Sequence, residues 1–425
     1  MNDLLTADDP RYKALFDITK EASGGEIYGD LTPKMTALRD KAPVQKGSLR
    51  ELLGVPAVHM AYDTPRQHYT LFTFELCDRA FRENQLFSSA VYNESPGVKN
   101  MGKVILRMTG EEHRCLRAVA QPMFLRPRTV DWWKPNWIDD AVDALLGRLE
   151  GRETADLNMD LCARLPVNVV TRGIGMKGEN ALVFREHLEK STIEARHLDP
   201  QVVKHSADEV SRMLRELIIE RRAEPADDVI SGLVHNDLQL PDGSTRKLTD
   251  EEIFSYCRLI MLAGGGTTWR QLGITLHQLL TNRMFWESCR EDRNLIPLAI
   301  EEAARWMPTD PVFARLVMED IELEGVEIPA GSRVDLCLGA ANRDPSRWEN
   351  PDTYNIFRPL QSHLGFGMGP HRCLGMDVAK QEMIVAINGL MDRFPNLRLD
   401  ESAPTPELLG GVEQRGMSAV PVKLV

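Results

Sequence analysis

The sequence predicts a mainly α fold, a large helical body with a smaller β region. Three observations carry this. Apolar residues recur at three- and four-residue steps through most of the chain, the mark of amphipathic helices. Strand-like patterns are confined to two places, 58–74 and 313–338. The 425 residues are 43% hydrophobic, enough for a sizeable core, and no Ser/Gly- or Pro-rich linker, internal repeat or low-complexity tract divides them, so one unit spanning 1–425 is expected.

Composition also excludes function classes. The formal net charge of −12 argues against nucleic acid or an anionic membrane as the main partner. The N-terminal segment lacks an apolar stretch of the kind that directs secretion, and no run of 18 apolar residues occurs, so a cytoplasmic protein without a membrane anchor is expected. The seven cysteines, 77, 115, 162, 257, 289, 337 and 373, are scattered and odd in number, with no CxxC pair. A disulfide framework or zinc cluster is therefore not expected.

In chain order, VHMAYDTPRQHYTLFTF (58–74) reads as two strands around a turn at Asp63, Thr64 and Pro65. Thr109 and Glu112 have the spacing of a capping box that opens one helix, and Thr249 and Glu252 repeat it for a second. WWKPNW (132–137) reads as core packing at a helix junction. Residues 249–281 read as one long helix with three consecutive glycines, Gly264 to Gly266, in its middle. Each should weaken the helix by roughly 1 kcal/mol. Two explanations stand side by side: room for a planar cofactor and small ligand, or a close helix crossing or break. NLIPLAIEEAARWMP (294–308) is a helix with Glu302 and Arg305 on one face.

The most specific stretch is HLGFGMGPHRCLGMDVAKQ (363–381). Apolar residues from Met376 to Phe394 follow a helical period, which puts Cys373 by a helix N-terminus, where a thiol ionises more easily. Gly367 and Gly369 allow a tight turn and close approach to a flat group. A thiolate held this way suits ligation of an iron, whereas an isolated cysteine is more often a buried, inert one.

The full pattern F-G-x-G-x-H-x-C-L-G, from Phe366 to Gly375, resembles the haem-ligand loop of the cytochrome P-450 (haem-thiolate monooxygenase) family, soluble bacterial type. The resemblance runs from about residue 58 to the tail and implies that family's helical prism with a smaller β region. It implies haem b with Cys373 as axial iron ligand and Phe366, Gly367 and Ala263 against the macrocycle. His113 and Arg117, spaced i,i+4, would hold the haem propionates together with Arg315 and His371. Glu302 and Arg305 match the family's E-x-x-R, with Arg358 as third partner, a structural set. Ala263, Gly264, Thr267 and Thr268 match the oxygen-binding segment A-G-x-[D/E]-T-T, but Gly266 stands where an acid usually relays protons. That departure leaves the proton route to Thr267 open.

The implied activity is monooxygenation with O2: hydroxylation, epoxidation or O-demethylation. Leu259, Ala263, Gly264 and Val312, with parts of 83–104 and Gly411–Val412, would line an apolar pocket for a small or medium hydrophobic substrate, terpenoid, aromatic or steroid-like, with no identifiable cationic clamp for a carboxylate. Electrons would come from a separate ferredoxin and ferredoxin reductase, with NAD(P)H upstream, and the protein would act as a monomer. Arg107, Arg114, Arg117, Arg126 and Arg128 form a basic cluster suited to an acidic ferredoxin. Two rival readings remain: a haem-thiolate peroxygenase, isomerase or dehydratase, motivated by Gly266, and a non-catalytic haem binder.

Overall fold

A computed structural model describes residues 29–55, 65–95, 98–99, 101–192 and 198–424. Its centre is the helix Asp250–Thr281, which opens with a complete Thr249–Glu252 capping box and has buried residues on every face. Such a helix is held by packing on all sides. Leu165–Gly173 and Leu295–Trp306 lie against it, and one continuous apolar core joins these helices to Met376–Arg393.

The triple glycine does not break this helix. The space beside it is filled. A Cβ on Gly264 would come within 2.9 Å of the Val170 side chain on the crossing helix Leu165–Gly173. On Gly265 it would come within 2.7 Å of Arg185 Nη1. On Gly266 it would lie 3.1 Å from Arg270 Nη1 and 3.3 Å from Gln414 Oε1. The glycines therefore serve a close helix crossing and two buried arginines, and the packing they permit offsets their low helix propensity.

A five-stranded sheet flanks the helical body, in the order 44–46, 68–71, 333–337, 312–317 and 87–88. Strand His68–Leu71 pairs antiparallel with Val44–Lys46 and parallel with Arg333–Cys337. The expected hairpin over 58–74 therefore finds other partners for its second half, and residues 58–64 lie outside the described residues. The β pattern at 313–338 resolves into the strands Val312–Val317, Ile321–Leu323, Val326–Ile328 and Arg333–Cys337. Thr109 is the N-cap of Gly110–Ala120, but its side chain makes no cap bond, and Glu112 pairs with Lys103 instead. That capping box is not formed.

Trp132, Trp133 and Trp137 are buried and pack edge-on, with ring centroids 4.7 to 5.7 Å apart, and Trp133 Nε1 donates to the Met123 carbonyl at 2.8 Å. This is the expected helix-junction core. No helix among the described residues is long and apolar enough to cross a membrane.

A buried ion network joins the helix Leu295–Trp306 to the segment leading into the cysteine loop. Arg305 donates to both carboxylate oxygens of Glu302, at 2.7 and 2.8 Å, and Arg358 Nε donates to Oε1 at 3.2 Å. Arg305 also donates to the Asn342 and Pro351 carbonyls. Asn342 Oδ1 in turn accepts the Leu364 N–H at 2.8 Å. The Glu302→Ala variant leaves Arg305, 2% exposed, without its counter-ion. Stability to denaturant should fall by about 3–5 kcal/mol, measured as the shift of the urea midpoint.

Candidate active site

A cavity of about 1010 Å³ lies between the central helix, the five-stranded sheet and the cysteine loop. Leu259, Ala263, Gly264, Gly266, Thr267 and Thr268 line it from the central helix, and Val312 and Arg315 from the sheet. Phe366, Gly367, His371 and Cys373 line it from the loop, and His113 and Arg117 from the helix Gly110–Ala120. The residues expected to contact haem thus border one space, as do Leu259, Ala263, Gly264, Val312 and Val412 of the expected substrate lining, while Gly411 does not. Glu302, Arg305 and Arg358 lie outside it and act on its framework. Ala263 is exposed although it sits in the middle of a core helix, because the cavity opens over it. Thr267 Oγ1 donates to the Ala263 carbonyl at 2.8 Å, one turn back.

The loop is set by its own backbone. Gly367 N–H donates to Leu364 O and Cys373 N–H to Phe366 O, each at 2.8 Å. Gly367 and Gly369 take φ of 63° and 66°, a region costly for other residues. Gly369 is there for protein packing, since a Cβ would stand 2.4 Å from the Phe81 carbonyl. Glu301 ties the loop down. It accepts from His363 Nε2 at 2.8 Å and pairs with Lys380, while His363 Nδ1 accepts the Gly365 N–H at 3.0 Å. Burial pushes the Glu301 carboxyl up, but His363 and Lys380 outweigh it and hold it at about 2. This clamp was not foreseen, because nothing in the sequence spacing links residue 301 to residues 363 and 380.

Cys373 lines the cavity and is exposed. The helix starts only at Met376, with Gly375 as N-cap. Burial pushes the thiol above its ordinary value, against the Gly375 N–H and the charges of Arg117 and Lys380, which favour the thiolate. The N–H of Gly375 at the helix N-cap thus favours the thiolate as expected but does not outweigh burial, and a metal ion on the sulfur would add to it.

The donor end of the cavity has matching needs. His113 and His371 stack with centroids 4.0 Å apart, and the Nε2 of each is buried without a hydrogen-bond partner. Burial pushes His113 down to about 4, helped by Arg117. Burial pushes His371 to about 2, helped by His113, Arg315 and Arg117. Arg117 Nη2 donates to the Arg372 carbonyl at 2.6 Å, and Arg315 is buried with its guanidinium 5.0 Å from the Phe81 ring centroid. Two imidazoles and two guanidiniums on one stretch of wall, two of their nitrogens orphaned, fit a pair of carboxylates. A cysteine facing the same cavity fits a metal. The donor set and the volume together fit a haem.

The basic cluster is less uniform than its sequence suggests. Arg114 pairs with Glu111, and Arg128 with Asp227 while lying 4.0 Å from the Trp132 ring centroid. Arg117 is turned to the loop, Arg107 is half-buried, and Arg126 is exposed. Exposed Arg372, beside the cysteine, was not singled out from sequence.

Polar wall residues were missed as well. Arg185, Gln271, Asp310 and Gln414 all border the cavity. The usable signals were Arg270 and Gln271, one residue beyond the Thr-Thr pair in a core helix.

Comparison with known proteins agrees with this geometry. A family profile described as Cytochrome P450 matches residues 196–414. The chain is 34% identical over 316 residues to the biotin biosynthesis cytochrome P450 of Bacillus subtilis (strain 168), covering 73% of this chain and 78% of that protein. It is 30% identical to the steroid C26-monooxygenase of Mycolicibacterium smegmatis, covering 79% and 82%. The crystal structure of CYP109E1 from Bacillus megaterium in complex with testosterone superposes with a TM-score of 0.79 at 25% identity, over 93% of this chain and 99% of that one. P450BioI in complex with an acyl carrier protein ligated to hexadec-9Z-enoic acid superposes with a TM-score of 0.78 at 28% identity, over 93% and 99%. The chain belongs to the cytochrome P450 family, monooxygenases that bind haem b through a cysteine thiolate.

Proposed function

We infer that residues 1–425 form a single haem-thiolate monooxygenase domain that inserts one atom of O2 into a small or medium hydrophobic substrate. The observation that carries the residue assignment is the pairing of Cys373 with two orphaned imidazole nitrogens on one cavity. Cys373 would ligate the iron, His113, Arg117, Arg315 and His371 would hold the propionates, and Ala263, Phe366 and Gly367 would pack against the haem ring. When bound, thiolate-ligated haem supplies oxygen activation.

The protein's own part is binding, orientation and proton handling. Thr267 is the hydroxyl at the distal wall and Thr268 backs it from the core, 5% exposed. Leu259, Gly264 and Val312 supply apolar surface for the substrate. A terpenoid, aromatic or steroid-like molecule suits that surface. Relatives that include a steroid C26-monooxygenase and a testosterone complex support the steroid-like class. The protein acts in the cytoplasm as a monomer and takes electrons from a ferredoxin and its NAD(P)H-dependent reductase. The exposed Arg126 and Arg372 are the docking cations, with Arg114 secondary because Glu111 already pairs with it.

Gly266 favours one second reading, a peroxygenase, isomerase or dehydratase, since the residue before Thr267 has no proton-carrying side chain. Turnover with hydrogen peroxide alone, absent with ferredoxin, reductase and NADH, would establish it.

Reduced protein treated with carbon monoxide should show the red-shifted Soret band of thiolate-bound haem, and Cys373→Ser should abolish that band while leaving the far-ultraviolet dichroism unchanged. An unaltered band in the variant removes the ligand assignment. Arg126→Glu should slow reduction by ferredoxin about tenfold in stopped flow and leave reduction by dithionite unchanged, with Arg114→Glu having a smaller effect. Equal ferredoxin rates in the parent and Arg126→Glu proteins rule out this docking face.

A further inference from the structure

The cavity wall away from the donor end carries several arginines, and each of them faces a carboxylate. Arg50 pairs with Glu413. Arg66 Nε donates to Glu94 at 3.0 Å, and Arg333 Nε to Asp335 at 3.1 Å. Arg185 pairs with Glu189 at 2.5 Å, the arginine 6% and the glutamate 0% exposed. Asp310 faces Arg270, whose guanidinium also donates to the Gly266 carbonyl at 3.0 Å. A wall neutralised from within offers a carboxylate no free cation, and bringing one in would cost its hydration without return.

One part of this wall is built to take a polar group. Gln414 donates a side-chain hydrogen bond to Asp310, and its Oε1 reaches toward Gly266. Burial pushes the Asp310 carboxyl up, while Arg270 and Gln414 pull it down. The two residues come from different strand ends, and fully buried Arg415 locks them together. Its N–H donates to the Thr309 carbonyl at 2.7 Å, and its guanidinium donates to the Pro308 carbonyl at 3.0 Å and to Thr32 Oγ1 at 2.8 Å. With the Gln414 amide committed to Asp310, the pair presents acceptors: Gln414 Oε1 and the remaining Asp310 lone pairs. Gly266 is what lets this happen, because a side chain there would occupy the space taken by Gln414 Oε1 and Arg270 Nη1.

We propose that this wall selects an uncharged hydrophobic substrate carrying a hydrogen-bond donor, a hydroxyl or N–H, which docks on Gln414 and Asp310 beside Thr267. The proposal rests on the cavity being the substrate site. It accounts for the departure at residue 266, where a glycine clears the position of a substrate anchor. It also narrows the substrate class: steroid-like or terpenoid alcohols fit, and free fatty acids do not.

The test uses the haem-loaded protein and two matched pairs of probes, testosterone with its deoxy analogue lacking the hydroxyl, and lauryl alcohol with laurate. Affinities are measured by equilibrium dialysis as well as by the Soret shift, and the carbon monoxide spectrum is recorded separately. The parent protein should bind each alcohol about tenfold more tightly than its partner, about 1.4 kcal/mol. Gln414→Leu should bring the testosterone pair within about twofold by weakening the alcohol alone. Asp310→Asn, which keeps shape and removes charge, should narrow the gap between lauryl alcohol and laurate. Laurate binding as tightly as lauryl alcohol in the parent protein, or a full hydroxyl preference in Gln414→Leu, overturns the proposal. Loss of the thiolate carbon monoxide band with the alcohol preference intact would instead overturn the haem-ligand assignment and leave this one standing.

Discussion

The constraint on which the rest depends is the burial of Glu302 between Arg305 and Arg358. Charges removed from water are tolerated only when paired and fully hydrogen-bonded. Here the pairing is met only if the segment through Asn342, Pro351 and Thr353 folds back over the helix Leu295–Trp306, since those carbonyls take the remaining arginine donors. Asn342 then fixes Leu364, and Leu364 begins the loop that carries Cys373. The position of one sulfur thus follows from the electrostatics of a carboxylate far from it in sequence.

The cavity shows the complementary situation. Its donor end holds two buried imidazoles with unpartnered nitrogens, and burial pushes its cysteine thiol up. The first suit an anionic acceptor and the second suits a metal cation. Burial alone would make such an arrangement costly. A dianionic macrocycle bearing a metal answers all of these demands at once, which is why the site is best understood as one half of a complex.

At the far wall the same physics runs differently. Its arginines are paired with carboxylates, so the wall offers an anion no free cation there. The glycine run of the central helix links the two regions. Its missing side chains admit Val170, Arg185, Arg270 and Gln414, and so bring a tight helix crossing and a polar anchor to the same turn of helix that carries Ala263 and Thr267.

The residues that border the cavity or brace it were legible because their spacing is local or repeated as motifs: His113 with Arg117, the segment from Ala263 to Thr268 and Phe366 to Gly375 on the cavity, and Glu302 with Arg305 behind it. The Thr249–Glu252 cap was legible for the same reason, while the Thr109–Glu112 pattern misled because Lys103 competes for the glutamate. The hairpin expected at 58–74 misled because strand pairing is decided by long-range neighbours, here 44–46 and 333–337. By itself the sequence determined the helical class and the family, and it singled out the cysteine and the His and Arg donors that the fold brings to one cavity. Only the tertiary structure decided what fills the glycine gap, which arginines are already spoken for, and how Asp310 and Gln414 meet. Those are contacts between segments distant along the chain, and their geometry follows from packing and charge pairing that no local pattern encodes.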